Sequence, residues 1–129
     1  RTAPGSVLPR LAARARAGAP LPVHGDGLQR RGFLHVDDLV QALLALLNQT
    51  PTAPEVLEVG QPRRTSILEL AQRLAWLGGA GSTVRFAAAE EGREDRPRRA
   101  PDLTALQRRV SWRPRRTLDE ILRGALAGA

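Results

Sequence analysis

Glycine and proline cut this chain into short pieces that alternate between helical and extended patterning, and no single piece dominates the fold. Leu8, Leu11, Ala12 and Ala15 recur at helical spacing, with Gly18 placed to stop that helix. An extended piece, Leu21 to His24, enters a Gly25-Asp26-Gly27 turn, and a second apolar stretch runs from Gly32 to Val36, with His35 in its strand as a structural residue. Asp37 or Asp38 then stands where a carboxylate can cap a helix. The apolar stripe of that helix is Val36, Leu39, Val40, Leu43, Leu44 and Leu47, which is expected to be buried. Pro51 and Pro54 mark a loop, and Glu55 to Val59 reads as a strand closed by Gly60.

The second half repeats the alternation. Ser66 with Glu69 forms a capping box for a helix with Ile67, Leu70, Ala71 and Leu74 inside. Trp76 falls on the outer face of that helix, beside Glu69, Gln72 and Arg73. It is either partly buried beneath a loop or part of a surface covered in a larger assembly. A Gly78 to Gly81 turn precedes a strand with Val84 and Phe86 on one face, and the doubly charged stretch Glu90 to Ala100 reads as a surface loop. A short helix from Asp102 carries Leu103, Leu106 and Val110. Thr117 and Glu120 form a second capping box, opening a helix with Leu118, Ile121, Leu122 and Ala125 inside.

The pattern is α/β in a single unit, with few short strands (about four) and about five helices. So few strands make a thin open sheet, and several helices carry an apolar face with little sheet to rest on. The isolated chain is therefore expected to be partly molten, oligomeric or dependent on a further segment.

The 129 residues suffice for one domain with a core, which would hide roughly two-thirds of the unfolded surface. All 20 cationic side chains are Arg, and Lys and Tyr are both absent. Chemistry that needs a Tyr acid/base or a Lys amine has no residue here to perform it. The chain has no Cys, no His/Asp/Glu spacing suggests a metal site, and no Ser-His-Asp arrangement carries a nucleophile motif. No apolar run approaches the roughly 20 residues needed to span a bilayer, so a cytoplasmic, membrane-free protein is the expectation. A net charge of +7 points to an anionic partner: nucleic acid, an acidic protein or a phosphorylated small molecule. The arginines are scattered and have no aromatic residues interleaved among them, which argues against nucleic acid.

One stretch is more specific. Pro20-Leu-Pro-Val-His-Gly-Asp-Gly-Leu-Gln-Arg-Arg-Gly-Phe-Leu-His-Val-Asp-Asp38 resembles a segment of NAD-dependent nucleotide-sugar epimerases, dehydratases and decarboxylases, written P-L-x-V-Y-G-D-G-x-Q-x-R-D-F-x-x-V-x-D. Val59-Gly60, Thr65 to Leu70, Arg99-Ala100-Pro101-Asp102 and Ser111-Trp112-Arg113-Pro114 follow in that family's order. By this likeness the chain is similar to the C-terminal, substrate-binding portion of an extended short-chain dehydrogenase/reductase of Rossmann type, with decarboxylase-like sequences nearest. The resemblance implies that residues 1–129 form one nucleotide-sugar-binding region. The N-terminal half, holding NAD(P) and the Tyr-x-x-x-Lys pair, would lie upstream of Arg1 and outside this sequence. No glycine-rich fingerprint follows a strand in the chain, and Gly78-Gly79-Ala80-Gly81 follows a helix instead.

The resemblance also assigns roles. Arg31 occupies the position of the family's diphosphate-contacting arginine and Arg99 that of the second, with Arg98 adjacent and able to take the second role. A guanidinium suits a diphosphate because its planar fork donates paired hydrogen bonds and keeps its charge. His24 replaces the aromatic residue that packs on the base, and Pro22 offers backbone contact beside it. The implied ligand is a UDP- or dTDP-sugar, and the implied partners are the missing Rossmann half and a second copy in a homodimer. Two departures stand out: Glu58, where relatives commonly carry Asn, would repel a diphosphate, and Gly32 replaces the usual Asp or Ser. The competing readings are a truncated binding or interaction module without catalysis and a basic nucleic-acid binder.

Overall fold

A computed structural model describes residues 6–50, 54–88 and 99–128. The element order is α1 (Val7–Arg16), β1 (Leu21–His24), β2 (Arg30–Gly32), α2 (Val36–Leu47), β3 (Arg64–Ser66), α3 (Ile67–Gly78), β4 (Val84–Ala87), α4 (Thr104–Arg109) and α5 (Leu118–Ala127). The fold is α/β with few short strands, as the patterning implies. The strands form two separate pairs: β1 with β4, parallel, and β2 with β3, antiparallel. Among the described residues no helix is long and apolar enough to cross a membrane.

The main core is built by α1, α3 and α5 around β1. Leu11, Ala15, Leu21, Val23, Leu70, Leu74 and Leu122 are buried there, with Leu118 and Ala125 packed against them. The helices begin and end where their residues dictate. Gly18, past the end of α1, and Gly79, at the end of α3, both take a left-handed backbone that L side chains rarely adopt. The Ser66 Oγ accepts the Glu69 N–H at 3.1 Å, while the Glu69 carboxylate turns to Arg73 instead of completing the box. At α5 both halves of the capping box are made. Arg73 also donates to Asp119 at 2.8 Å, tying α3 to α5.

A smaller core joins α2, α4 and the segment after α4 through Ala42, Leu103, Leu106, Val110 and Trp112. Here three expectations fail. The leucine-rich stripe of α2 is not buried: Val36, Leu39, Val40, Leu43, Leu44 and Leu47 are 37–78 % exposed, and the helix docks instead through Asp38 and Ala42. The capping residue of α2 is His35, whose Nδ1 accepts the Asp37 N–H at 3.1 Å, so His35 closes no strand. Glu55 to Val59 forms no strand, because no neighbouring strand offers it a ladder, and Val56 is 92 % exposed. Trp76 is 76 % exposed, with no covering loop among the described residues. Pro51 and residues 90–98 of the expected surface loop, Arg98 included, lie outside the described residues.

Candidate functional site

Pro22 and His24 are alternate residues of β1, half-buried, while Leu21 and Val23 face the core. His24 Nδ1 lies 3.0 Å from the Ala88 carbonyl, so that nitrogen carries the proton and donates. The strand then turns through Gly25-Asp26-Gly27, where Asp26 Oδ1 accepts the Leu28 N–H at 2.9 Å. Gly27 is required: its φ is +70°, and a Cβ there would come within 2.5 Å of Val23 Cγ1. The turn also satisfies the start of α3, since Gly27 and Gln29 carbonyls accept the Leu68 and Ile67 N–H groups, each at 3.0 Å.

Arg31 follows in β2, paired across the ladder with Thr65. Its Nη1 donates to the Arg30 carbonyl at 3.0 Å. At Gly32, β2 presses on the chain beyond it, where a Cβ would sit 2.6 Å from the Gln61 carbonyl oxygen. The departure at this position therefore has a steric reason: an Asp or Ser would clash with backbone. One residue earlier, Gly60 abuts Pro101, and a Cβ there would lie 2.9 Å from the Pro101 ring. The strand of Arg31 and the segment of Arg99 thus both dock on the Gly60–Gln61 backbone.

Glu58 and Arg99 form an ion pair, and the second Glu58 oxygen accepts the Asp102 N–H at 3.0 Å. The hydrogen bond from Arg99, then the Asp102 N–H, holds the Glu58 carboxyl below its usual range, and the same pair raises Arg99. Asp102 is lowered chiefly by its hydrogen bonds from Thr104. The carboxylate expected to repel a diphosphate is thus paired with the arginine expected to hold one.

Two clefts flank the Arg115–Leu118 segment. One, of about 510 Å³, lies between Asp37, Asp38, Val40, Gln41, Arg115, Arg116 and Glu120. The other, of about 220 Å³, is lined by Phe33, Gln61, Arg63, Thr65, Arg115, Arg116, Thr117 and Leu118. Arg31, Arg99, His24 and Pro22 line neither. In the larger cleft Arg116 bridges Asp37 at 2.9 Å and Glu120 at 3.1 Å. The Thr117 backbone N–H, then its hydroxyl, then Arg116, pull the Glu120 carboxyl down to about 2. Beside them the buried Asp38 accepts the N–H groups of Arg115 at 3.2 Å and Arg116 at 3.0 Å, and its carbonyl accepts the Trp112 indole N–H at 2.9 Å. Asp38 is an anchor joining α2 to the Trp112–Thr117 segment, in place of the helix cap expected of it.

Residues 1–60 match the family model described as the NAD dependent epimerase/dehydratase family. Over those residues the chain is similar to the NAD-dependent epimerases and dehydratases. It is 34% identical over 116 residues to UDP-glucuronic acid decarboxylase 1 of Xenopus tropicalis, an alignment covering 90% of this chain and 27% of that protein. Against dTDP-4-dehydro-6-deoxy-D-allose reductase of Streptomyces bikiniensis the identity is 38% over 111 residues, covering 85% and 32%. The fold superimposes on UDP-glucuronic acid 4-epimerase of Bacillus cereus, solved with UDP-glucuronic acid and NAD, with a TM-score of 0.79 and 24% identity, over 96% of this chain and 39% of that one. The chain therefore spans about a quarter to a third of the length of the curated relatives it matches. Epimerases and dehydratases of this family use NAD, yet the described residues offer it no cradle. The Gly78–Gly81 turn closes α3 with Gly79 left-handed, and no glycine-rich loop joins a strand to a helix start.

Two features of this epimerase-related chain escaped the sequence: the Glu58–Arg99 pair and the Asp38 anchor. Each joins residues far apart in the chain (41 positions for the pair, 77 and 78 for the anchor), and no local periodicity encodes such a contact.

Proposed function

We propose that this chain is the nucleotide-sugar-binding region of an NAD-dependent epimerase, dehydratase or decarboxylase. Arg31 and Arg99, with Arg98 beside it, hold the diphosphate, while His24 and Pro22 on β1 receive the base. The cofactor and the catalytic Tyr and Lys, residue types this chain lacks, belong to a separate Rossmann half. When bound there, NAD supplies the hydride chemistry; the residues of this chain bind the sugar nucleotide, orient it and exclude water.

The observation that supports the reading is that the strand of Arg31 and the segment of Arg99 both pack on the Gly60–Gln61 stretch of the chain. A second half is supported by the uncovered leucine face of α2, by the ladder-less Glu55–Val59 segment, and by the greater length of the relatives. Calorimetric titration with UDP-glucuronic acid tests the reading. The expected result is micromolar binding weakened at least about tenfold by Arg31→Ala, the loss of one charge-assisted contact. Absence of that binding, with duplex DNA bound in a steeply salt-dependent manner, would overturn it in favour of the nucleic-acid reading.

A further inference from the structure

We infer that Glu58 is an internal competitor for the Arg99 guanidinium and sets how tightly this chain accepts a diphosphate, an inference that rests on the function just proposed. One carboxylate oxygen takes the Arg99 guanidinium and the other takes the Asp102 N–H, so the whole carboxylate is spent on the 99–102 segment. Pro101 against Gly60 fixes that segment on the same stretch of chain that carries Glu58. The contact Glu58 makes is the one a phosphate oxygen asks of Arg99: a charge-assisted N–H···O bond from the same fork. The side chains of Glu58 and Arg99 are 37 % and 71 % exposed, so a ligand can reach the pair and exchange with the carboxylate.

Binding a diphosphate through Arg99 then has a cost that a chain with an uncharged residue at position 58 does not bear. Either Glu58 swings away and leaves the Asp102 N–H to water, or it stays and keeps its negative charge beside the phosphates. The second penalty grows with the negative charge of the ligand, so a Glu58 that stays in place discriminates most strongly against the most highly charged anions.

The test is a double-mutant cycle of Glu58→Gln and Arg99→Ala, read by calorimetry with UDP as the probe at neutral pH and fixed ionic strength. Glu58→Gln retains an oxygen for the Asp102 N–H and removes only the charge. It should tighten UDP binding about fivefold, the scale set by an exposed charge pair. Arg99→Ala alone should change affinity less than about twofold, because Arg99 is already engaged, but in the Glu58→Gln background it should erase the whole gain. Melting curves by circular dichroism establish that each variant is folded, and Glu58→Asn, a shorter amide that cannot span to Arg99, replaces Glu58→Gln should that variant unfold. Equal or weaker UDP binding by the amide variants, with Arg31→Ala still abolishing binding, would sink the role of Glu58 and leave the proposed function standing. No UDP binding by the parent chain or either amide variant, up to millimolar UDP, would remove both.

Discussion

The α2 and α3 helices are each 12 residues long, and each is rich in Leu at helical spacing, yet only one hides its leucines. On α3, Ile67, Leu70, Ala71 and Leu74 are at most 5 % exposed, because α1, α5 and β1 close over them from three sides. On α2 six of the seven large apolar residues are exposed, and the helix meets the smaller core of Trp112 and Leu106 through Asp38, Ala42 and the partly buried Leu46. A helix apolar all round calls for cover all round. The lesson is that periodicity declares which residues want burial, while the presence of a partner is a property of the whole assembly.

The largest break in that comparison should come from α3. Leu70→Ala removes a fully buried side chain from the main core and should cost about 2–5 kcal/mol in denaturant unfolding. A cost below about 1 kcal/mol would mean that the α3 face is no better packed than the α2 face. Next in size is the one strongly bound residue of α2. Asp38→Ala strands the backbone N–H groups of Arg115 and Arg116 and should cost about 1–3 kcal/mol, chiefly by loosening the smaller core. Near-ultraviolet circular dichroism of Trp112 should change in that variant, because its indole N–H donates to the Asp38 carbonyl.

A smaller effect is set by pH at the junction of α2 and α5. Glu120 is lowered to about 2 in the folded chain from the ordinary 4.5 of a free glutamate, so its folded value is depressed. Its contribution is therefore present above pH 4.5 and is lost as pH falls from there toward 2. Thermal midpoints should decline across that window, and Glu120→Gln should flatten part of the decline. The least effect on folding belongs to the outward face. Leu43→Lys with Leu47→Lys should change unfolding free energy by no more than about 0.5 kcal/mol each, yet abolish any self-association seen by sedentation velocity. A large loss of stability in the monomer would show that the face has a partner within the chain after all.

Much of the local structure was legible because local chemistry encodes it. Gly18 and Gly79 stop helices through their left-handed backbone, Ser66 and Thr117 start them, and the 3.6-residue period of α1, α3 and α5 finds a real core. What could not be read depended on distance. Glu55–Val59 has the composition of a strand and no neighbour to pair with, while Arg30–Gly32 and Arg64–Ser66, with little apolar content, become strands because they find each other. The placement of Arg31 and Arg99 beside Gly60–Gln61 follows from close backbone approaches at two glycines, and the capture of Arg99 by Glu58 from a contact that closes only in three dimensions.

The main core also imposes an order of events on folding. Leu11 near the start and Leu122 near the finish occupy the same apolar interior, β1 waits about sixty residues for β4, and Arg16 reaches across to the Ala125 carbonyl at 3.2 Å. Within this unit the apolar flank of α1 stays uncovered until the distant α3 and α5 segments reach it, so the main core closes through contacts of high sequence separation.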